Sequence, residues 1–445
     1  MNRFLATLVI AFGLGSALVS AKAPPASAPR SKPAPPEERG LARADWLPNA
    51  VITKARKAVV TVQFEGATKG SRSGFFASAD GLVVTAASPL EGARQVVIRT
   101  SDNQEIKGAR LMAVDPRYDL AVLATGGKNR PMLAVHEQAV AVGEACAVLF
   151  PAGGSTLKTA DGKLLARRAG LDWTESRLLE LWSLAVSPQC NGPAGAPVIT
   201  ADGRVAGMYG FFGGSQAQKF TYAIPESALT AVLASARAAK QALAFPQPGE
   251  IIDSGTANGF AVLTGDPDFL AGARLLGTGD LVGALEKFRA ALKRNPKNPV
   301  AMAKLASCLA FTGDTDEAGK VLKEAIALAP DRLGLPIALG EILNVRSDSA
   351  TMVNYYQELT TRVPNLGKIR GALGMNLFNA KRKDEGLAAL RKWTELEPDS
   401  MAAWDAYSRA LTAAGEMSQA DAASERSAAL ESLFFRLRYS APKRD

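Results

Sequence analysis

Histidine is almost absent from this sequence: its 445 residues include one, His136. Cysteine is nearly as rare, with Cys146, Cys190 and Cys308. These four residues do not have the spacing of a zinc site, and three cysteines do not make a disulfide framework. We therefore expect no metal and no cofactor. A Cys146–Cys190 bridge remains open in an oxidising compartment.

Clustered basic residues and long apolar runs are also lacking. The formal charge of +9 is spread along the chain, so no nucleic-acid-binding face is predicted. Residues 1–21 are the exception to the lack of apolar runs. They have a positive charge at Arg3, then an apolar stretch, and then the small residues Val19-Ser20-Ala21. This pattern is typical of a signal peptide, with an uncleaved anchor as the alternative. We predict cleavage, no membrane span afterwards, and a periplasmic or secreted protein.

The remaining sequence divides by composition into four parts. Residues 22–45 are rich in proline and alanine and predict a linker. Residues 46–244 carry short apolar runs with Asp-Gly turns, typical of an antiparallel β domain, and end in a predicted helix at 226–244. A second linker is predicted at 245–264, and a helical domain over 265–445.

Four motifs give the β domain its identity. They are Gly-Ser-Arg-Ser-Gly-Phe at 70–75 with Val-Thr-Ala-Ala-Ser-Pro-Leu at 84–90, Asp-Pro-Arg-Tyr-Asp-Leu-Ala-Val-Leu at 115–123, Gly-Pro-Ala-Gly-Ala-Pro at 192–197, and Phe-Thr-Tyr-Ala-Ile-Pro at 220–225. In this order they resemble the HtrA/Deg-type trypsin-like serine proteases. The resemblance implies an all-β trypsin-like fold of two six-stranded barrels with the site in the cleft between them.

The catalytic triad implied by this resemblance is incomplete. Asp119 stands at the aspartate position, Ser88 at the histidine position and Ala194 at the nucleophile position. Acyl transfer in this fold needs an imidazole that takes the proton of a serine hydroxyl. A methyl group cannot attack a carbonyl, and a serine has no pKa near neutrality. We therefore predict a pseudoprotease without intact catalytic residues, in which Asp119 is a structural carboxylate.

The oxyanion loop departs from the family as well. Gly192, Pro193, Ala194 and Gly195 occupy it, and Pro193 supplies no N–H, although the hole would use those of Gly192 and Ala194. We predict Cys190 on the wall of the former specificity pocket. His136 is predicted to be an exposed loop residue.

The helical part repeats every 34 residues. The period is marked by Pro296, Pro330, Pro364 and Pro398, and by small residues such as Ala284, Ala318 and Ala420. This pattern resembles the tetratricopeptide repeat and implies an all-α solenoid with a concave groove. Five units fit, at 265–298, 299–332, 333–366, 367–400 and 401–434, and Ser432 to Tyr439 predict a C-terminal capping helix.

Three functions follow from this organisation. The first is a non-catalytic scaffold of the cell envelope that binds protein or peptide partners through the repeat groove and the barrel cleft. The alternative is an active hydrolase with a non-standard catalytic arrangement. In the third, the β domain is purely structural and all binding lies in the repeats.

Overall fold

Two β-sheets precede a run of helices in the computed structural model. It describes residues 46–66, 69–151, 156–171, 178–187, 194–210, 221–246, 266–344 and 347–440. A short helix, α1 (Asn49–Arg56), leads into the first sheet. Its buried Ile52 and Ala55 belong to an apolar core that both sheets share.

The first sheet has seven antiparallel strands. They are β1 (Val59–Gly66), β2 (Lys69–Phe76), β3 (Leu82–Ala86), β4 (Ala93–Arg99), β5 (Glu105–Lys107), β6 (Arg110–Asp115) and β7 (Leu120–Ala124). Their order is β5–β4–β1–β2–β3–β7–β6. Both faces carry apolar cores: along β1, Val60 and Val62 belong to one cluster and Val59 to another. This alternation is the two-residue period of a strand.

The first sheet differs from the predicted closed six-stranded barrel. β5 and β6 end the sheet, and no ladder joins them within the described residues. β5 is three residues long and pairs with β4. The edge of β6 is covered instead by Leu243, whose N–H donates to the carbonyl oxygen of Leu111 at 2.7 Å. A segment that comes after the last strand of the β domain therefore occupies the position at which a barrel would close.

The second sheet is a closed six-stranded barrel, as predicted. Its strands are β8 (Ala145–Pro151), β9 (Leu157–Leu171), β10 (Leu178–Ser187), β11 (Pro197–Thr200), β12 (Val205–Tyr209) and β13 (Thr221–Pro225), in the order β10–β13–β12–β11–β8–β9. Helix α2 (Glu226–Ala238) follows and ends before the predicted Ala244. Its Leu229 and Val232 pack into the shared core. The trypsin-like architecture is therefore confirmed, with one closed barrel and one open sheet.

The helices after α2 form five antiparallel pairs within the described residues. They are α3 (Pro267–Thr278) and α4 (Leu281–Arg294), α5 (Pro299–Thr312) and α6 (Thr315–Leu328), α7 (Gly334–Leu343) and α8 (Ser349–Arg362), α9 (Gly367–Asn379) and α10 (Lys383–Leu396), and α11 (Met401–Ala414) and α12 (Met417–Ser440). One pair lies in each 34-residue unit. Buried Ala284, Ala318 and Ala420 allow the close helix approach that the period predicts. The repeat architecture is confirmed.

The fourth repeat accommodates a large residue where the period has a small one. Trp393 on α10 is buried against Gly371 of α9, where an added Cβ would lie 2.4 Å from the Trp393 ring. Gly386 and Gly374 pack backbone to backbone in the same pair, since a Cβ on Gly386 would lie 3.0 Å from the Gly374 carbonyl oxygen. Glycines on the facing helix thus offset the bulk of Trp393.

The predicted capping helix forms the last turns of a longer helix. Residues 432–439 lie inside α12, which runs unbroken for 24 residues. Leu430, Phe434 and Leu437 on this helix share an apolar cluster with Leu165 of β9 and Ala185 of β10. Helix α12 is long because its last turns pack against the barrel.

A buried polar cluster, which we call the Arg168 cluster, joins the barrel to the repeats beside α12. Arg168 of β9 donates to the Asp399 carboxylate at 2.5 Å and lies 3.4 Å from the Glu397 carboxylate. Ser183 of β10 donates to the other oxygen of Asp399 at 2.5 Å, and the Trp393 indole donates to Glu397 at 3.1 Å. The two domains therefore share one interface that is both charged and apolar.

Candidate functional site

Strand pairing brings two of the predicted site residues together. β3 and β7 are antiparallel partners, with Ala86 opposite Leu120. The chain therefore leaves β3 beside the residue that precedes β7, which places Ser88 next to Asp119. Asp119 has a φ of 54°, a left-handed conformation that Asp tolerates better than most side chains. This backbone turns the carboxylate back toward β3.

Asp119 is half-buried, and its carboxylate accepts three hydrogen bonds. The Ser88 N–H and the Ala87 N–H donate to Oδ1 at 2.5 and 3.1 Å. The Ser88 hydroxyl donates to Oδ2 at 3.0 Å. Burial raises the pKa of Asp119 from 3.8 to about 6, and the hydrogen bonds from Ser88 and Ala87 oppose that rise. Desolvation disfavours the charged form more than these donors favour it.

Ser88 is the residue that the motifs predict at the general-base position of a trypsin-like triad. It begins a 3-10 turn, Ser88–Leu90, and is half-buried. Its hydroxyl is engaged as the donor to Asp119. A hydroxyl has no lone pair basic enough to take a proton near neutral pH. The pair therefore offers a hydrogen bond but no route for proton transfer to a nucleophile.

The loop that carries Ala194 packs closely against the first sheet. Gly195 has a φ of 102°, and a Cβ at this position would lie 2.0 Å from the Ser73 carbonyl oxygen and 3.2 Å from the Thr85 hydroxyl. The Gly195 N–H donates to the Tyr209 carbonyl oxygen at 3.0 Å. This loop, which we call the Ala194 loop, therefore contacts β2 and also β3, and β3 is the strand that leads to Ser88. Ala194 itself is half-buried.

Part of the predicted site lies outside the described residues. Gly192 and Pro193 of the oxyanion loop are among these, and so is Cys190. The oxyanion geometry therefore stays a prediction, as does a bridge from Cys190 to Cys146, which is buried on β8. Within the described residues, no group of three or more His, Cys, Asp or Glu side chains is placed to hold a metal ion.

The prediction that His136 is an exposed loop residue is wrong. Its side chain is 18% exposed, and its Nε2 lies 2.7 Å from the Thr200 hydroxyl oxygen and 3.5 Å from the Asp202 carboxylate. Its N–H donates to the Val205 carbonyl oxygen at 3.0 Å. The connection between the two sheets is thereby held against the β11–β12 turn, which buries the ring.

The His136, Thr200 and Asp202 contacts bring together the residue types of a catalytic triad, but Thr200 is 2% exposed. The Thr200 hydroxyl also donates to Asp202 at 2.8 Å. The same hydroxyl-to-aspartate bond, two residues apart, occurs at Ser78 and Thr100, where it closes a turn without a histidine. This pattern indicates a turn motif whose hydroxyl has no access to a substrate carbonyl.

Comparison with known families covers both domains. A model of the trypsin-like peptidase domain matches residues 72–208, and a tetratricopeptide-repeat model matches residues 275–336. The chain combines a trypsin-like peptidase domain with tetratricopeptide repeats. The first match spans β2 to β12, and therefore contains Ser88, Asp119 and Ala194.

The trypsin-like domain is similar to bacterial periplasmic proteases. A probable periplasmic serine endoprotease, DegP-like, from Pseudomonas putida (strain W619) is 29% identical over 143 residues, which are 31% of this chain and 28% of that protein. One from Pseudomonas savastanoi pv. phaseolicola is 30% identical over 152 residues, 32% of this chain and 31% of that protein. The match thus spans less than a third of the length of these curated relatives.

Solved structures were matched over about half of the chain. A protease from M. tuberculosis in its active form is 20% identical, covers 51% of this chain and 99% of its own, and has a TM-score of 0.40. The HtrA-type protease AlgW with a tripeptide is 24% identical, covers 42% of this chain and 62% of its own, and has a TM-score of 0.37.

Sequence analysis missed the Arg168 cluster. Arg168 is buried on β9, and Asp399 lies 231 positions later, directly after the repeat proline Pro398. Neither belongs to a motif that predicts a contact. The proline period placed the start of α11, but nothing in the period indicates which side of the solenoid faces the barrel.

Proposed function

We propose that this protein is a non-catalytic interaction or scaffold protein of the cell envelope, built on an inactive trypsin-like domain and a tetratricopeptide-repeat module. The observation that carries the proposal is the contact between Ser88 and Asp119. A serine, bonded through both its N–H and its hydroxyl, holds the carboxylate that would orient a catalytic imidazole. At the nucleophile position Ala194 has no hydroxyl.

The energetics support the loss of activity. Removing triad members from a comparable hydrolase lowers turnover by about 10⁶, or about 8 kcal/mol of transition-state stabilisation. Donors of an oxyanion hole retain only a residual part of the catalysis. A chain that lacks both the base and the nucleophile therefore has no useful peptide hydrolysis at the family's site.

Binding is assigned to the repeats rather than to strand addition on the first sheet. An extended peptide adds to a sheet through an edge strand with free backbone groups. Leu243 occupies the β6 edge. At the other edge, β5 offers three residues, of which Glu105 and Lys107 are exposed. Stacked repeats instead provide a concave surface of the kind that holds protein partners.

The cell-envelope location rests on two observations. Residues 1–21 have the pattern of a signal peptide. The relatives matched by the trypsin-like domain carry the description periplasmic. No helix within the described residues is long and apolar enough to cross a membrane.

Catalytic inactivity is tested by incubating the purified full chain with fluorescent casein. We expect the rate of casein cleavage by the wild type to equal that of a buffer blank. The Asp119→Ala and Thr200→Val variants are expected to give the same rate. Turnover that Asp119→Ala abolishes would show a working triad-like site. Casein cleavage that Thr200→Val abolishes would show that the contacts of His136, Thr200 and Asp202 support catalysis. Either result would contradict the proposal.

Scaffold function is tested by crosslinking mass spectrometry in the native envelope. The full chain is required because the barrel and the repeats share the buried Arg168–Asp399 pair, which would be broken in separate halves. We expect crosslinks from lysines of the repeats, such as Lys304 and Lys368, to another envelope protein. Crosslinks confined to lysines of the β domain, such as Lys107, would contradict the assignment of binding to the repeats.

A further inference from the structure

A cavity of about 260 Å³ lies between the barrel and α12. It is separate from the Ser88–Asp119 site. Its barrel wall consists of Val142, Gly143, Lys163, Leu164 and Leu165, and its helical wall of Asp399, Arg426, Ala429, Leu430, Leu433 and Arg436. Because both domains contribute, the cavity exists only when they are docked.

The walls carry a surplus of positive charge. Asp399 is the acidic residue of the lining, and its carboxylate is compensated by Arg168 at 2.5 Å. Arg426 and Arg436 lie on the exposed side of α12, and neither forms an ion pair with another described residue. A ligand with a negative group would therefore find uncompensated guanidinium donors here.

The interior of the cavity is apolar. Leu165 and Leu430 are buried and Leu433 is half-buried in the cluster that joins barrel and helix. Val142 is 62% exposed at the same cavity, which is unusual for a large aliphatic side chain at a domain junction. An apolar body bound here would remove that surface from water.

We propose that this cavity binds a single-chain amphiphile with a carboxylate headgroup. The apolar wall takes the chain, and one guanidinium, that of Arg426 or of Arg436, takes the carboxylate. Ten positions of one helix separate these two arginines by about 15 Å along its axis, so each defines its own end of the cavity. The volume lies just below the range of roughly 300–1,000 Å³ for drug-sized ligand pockets, so it selects a short chain over a two-chain lipid. The proposal is independent of whether the trypsin-like site is active.

The test is a titration of the full chain with decanoate below its micelle concentration, followed by calorimetry and tryptophan fluorescence. Trp46 and Trp404 pack against the cluster of Leu430 and Leu437, so they report on the cavity. We expect saturable binding of decanoate. Decanol, which has the same chain and no charge, is expected to bind at least about tenfold more weakly, and acetate not at all.

Three variants assign the binding to the cavity. Arg426→Gln with Arg436→Gln is expected to weaken decanoate binding at least about tenfold, from the loss of charge-assisted hydrogen bonds. Ala429→Phe is expected to abolish binding by filling the cavity. Arg409→Gln, on the exposed face of α11, removes one positive charge away from the cavity and is expected to leave binding unchanged. Circular dichroism of each variant checks that the fold is retained.

Several results would overturn the proposal. These are the absence of saturable decanoate binding, equal affinity for decanol, or unchanged affinity in the double arginine variant. Binding to phosphatidylglycerol vesicles without binding to decanoate would assign the basic face of α12 to a membrane surface and would also reject the cavity as the site.

Discussion

Two aspartates in this molecule, the half-buried Asp119 and the buried Asp399, each accept a hydrogen bond from a serine hydroxyl, and their surroundings are opposite. Asp119 is bonded to Ser88, and burial raises its pKa to about 6, with a smaller rise from the negative charge of Glu91. Asp399, bonded to Ser183, faces the guanidinium of Arg168. The first aspartate lies at the predicted triad site and the second joins the two domains.

The difference shows how a carboxylate is kept in a protein interior. A buried charge must be paired, hydrogen-bonded or neutralised. Asp399 is paired with Arg168. Asp119 has only hydrogen-bond donors, so it takes up a proton at a higher pH than usual. In a trypsin-like triad an imidazolium would compensate this carboxylate, and Ser88 does not supply that charge.

The largest expected effect comes from breaking the paired aspartate. Asp399→Ala leaves the Arg168 guanidinium, at 4% side-chain exposure, with only the more distant Glu397 carboxylate at 3.4 Å, and breaking a buried pair destabilises a protein by about 3–5 kcal/mol. We expect a loss of this size in urea unfolding of the full chain. Arg294→Gln, which breaks an exposed pair with Asp266, is the matched control and is expected to change little. Equal losses in both variants would contradict the importance of burial.

Gly195 tests whether the degenerate site is still a packed part of the fold. Gly195→Ala adds a Cβ at a φ of 102° and 2.0 Å from the Ser73 carbonyl oxygen, so we expect a loss of about 3 kcal/mol in unfolding free energy. Gly415→Ala has a similar φ of 88° and open space around the Cβ, so it measures backbone strain alone, about 1 kcal/mol. Equal losses of unfolding free energy in Gly195→Ala and Gly415→Ala would show that the Ala194 loop is not in close contact with β2.

The unpaired aspartate is expected to make stability depend on pH. Between about pH 4 and pH 6 the native state holds a proton on Asp119 that the unfolded chain has released. This contribution to stability is fully present below about pH 4 and is lost as the pH rises through about 6. A shift of about two pH units corresponds to about 3 kcal/mol. We expect the unfolding free energy of the wild type, minus that of Asp119→Asn, to fall by this amount.

Asp202→Asn is the control for that measurement. Burial alone would raise the pKa of Asp202, but hydrogen bonds from the Arg204 N–H and the Thr200 hydroxyl, together with His136, lower it. The stability that Asp202 contributes is present at neutral pH and is lost on acidification. The unfolding free energy of the wild type minus that of Asp202→Asn should therefore rise with pH, whereas the corresponding difference for Asp119→Asn should fall. A slope of the same sign in both variants would contradict the direction assigned to Asp119.

The smallest expected effect is on casein cleavage when a histidine and a serine are placed at the two predicted triad positions, 88 and 194. Ser88→His with Ala194→Ser supplies a base and a nucleophile, yet Pro193 and Ala196 still depart from the family's loop. We expect casein cleavage to stay within about tenfold of the wild-type background, far from the roughly 10⁶ that a complete triad contributes. Strong cleavage by the double variant would show that the loop geometry is better preserved than its sequence indicates.

The sequence predicts local features of this molecule well. The order of the motifs predicted the trypsin-like architecture, and the 34-residue period of the prolines predicted the helix pairs. Both patterns arise from contacts between elements that are neighbours in the sequence. The motifs assigned Ser88 and Asp119 to positions of one triad, and the pairing of β3 with β7 brings the two side chains into contact. Closure of the first sheet was predicted wrongly because the covering residue, Leu243, comes from beyond the strands.

Long-range contacts could not be predicted from these patterns. The burial of His136 depends on how a connecting segment lies over the β11–β12 turn. The interface of Arg168 with Asp399 depends on which face of the solenoid meets the barrel. The apolar residues at 432–439 were predicted to cap the last repeat, and nothing in their spacing indicated that Phe434 and Leu437 would share a cluster with Leu165 of the barrel. Amphipathic spacing gives the buried face of a helix but does not identify its partner.

The most direct measurement is the intact mass of the full chain after exposure to a fluorophosphonate probe, which modifies activated serine and threonine hydroxyls. Our account predicts that the mass is unchanged, because the Ser88 hydroxyl donates to Asp119 and the Thr200 hydroxyl is buried. A stoichiometric adduct that disappears in Ser88→Ala or in Thr200→Val would show an activated hydroxyl and would contradict a non-catalytic trypsin-like domain.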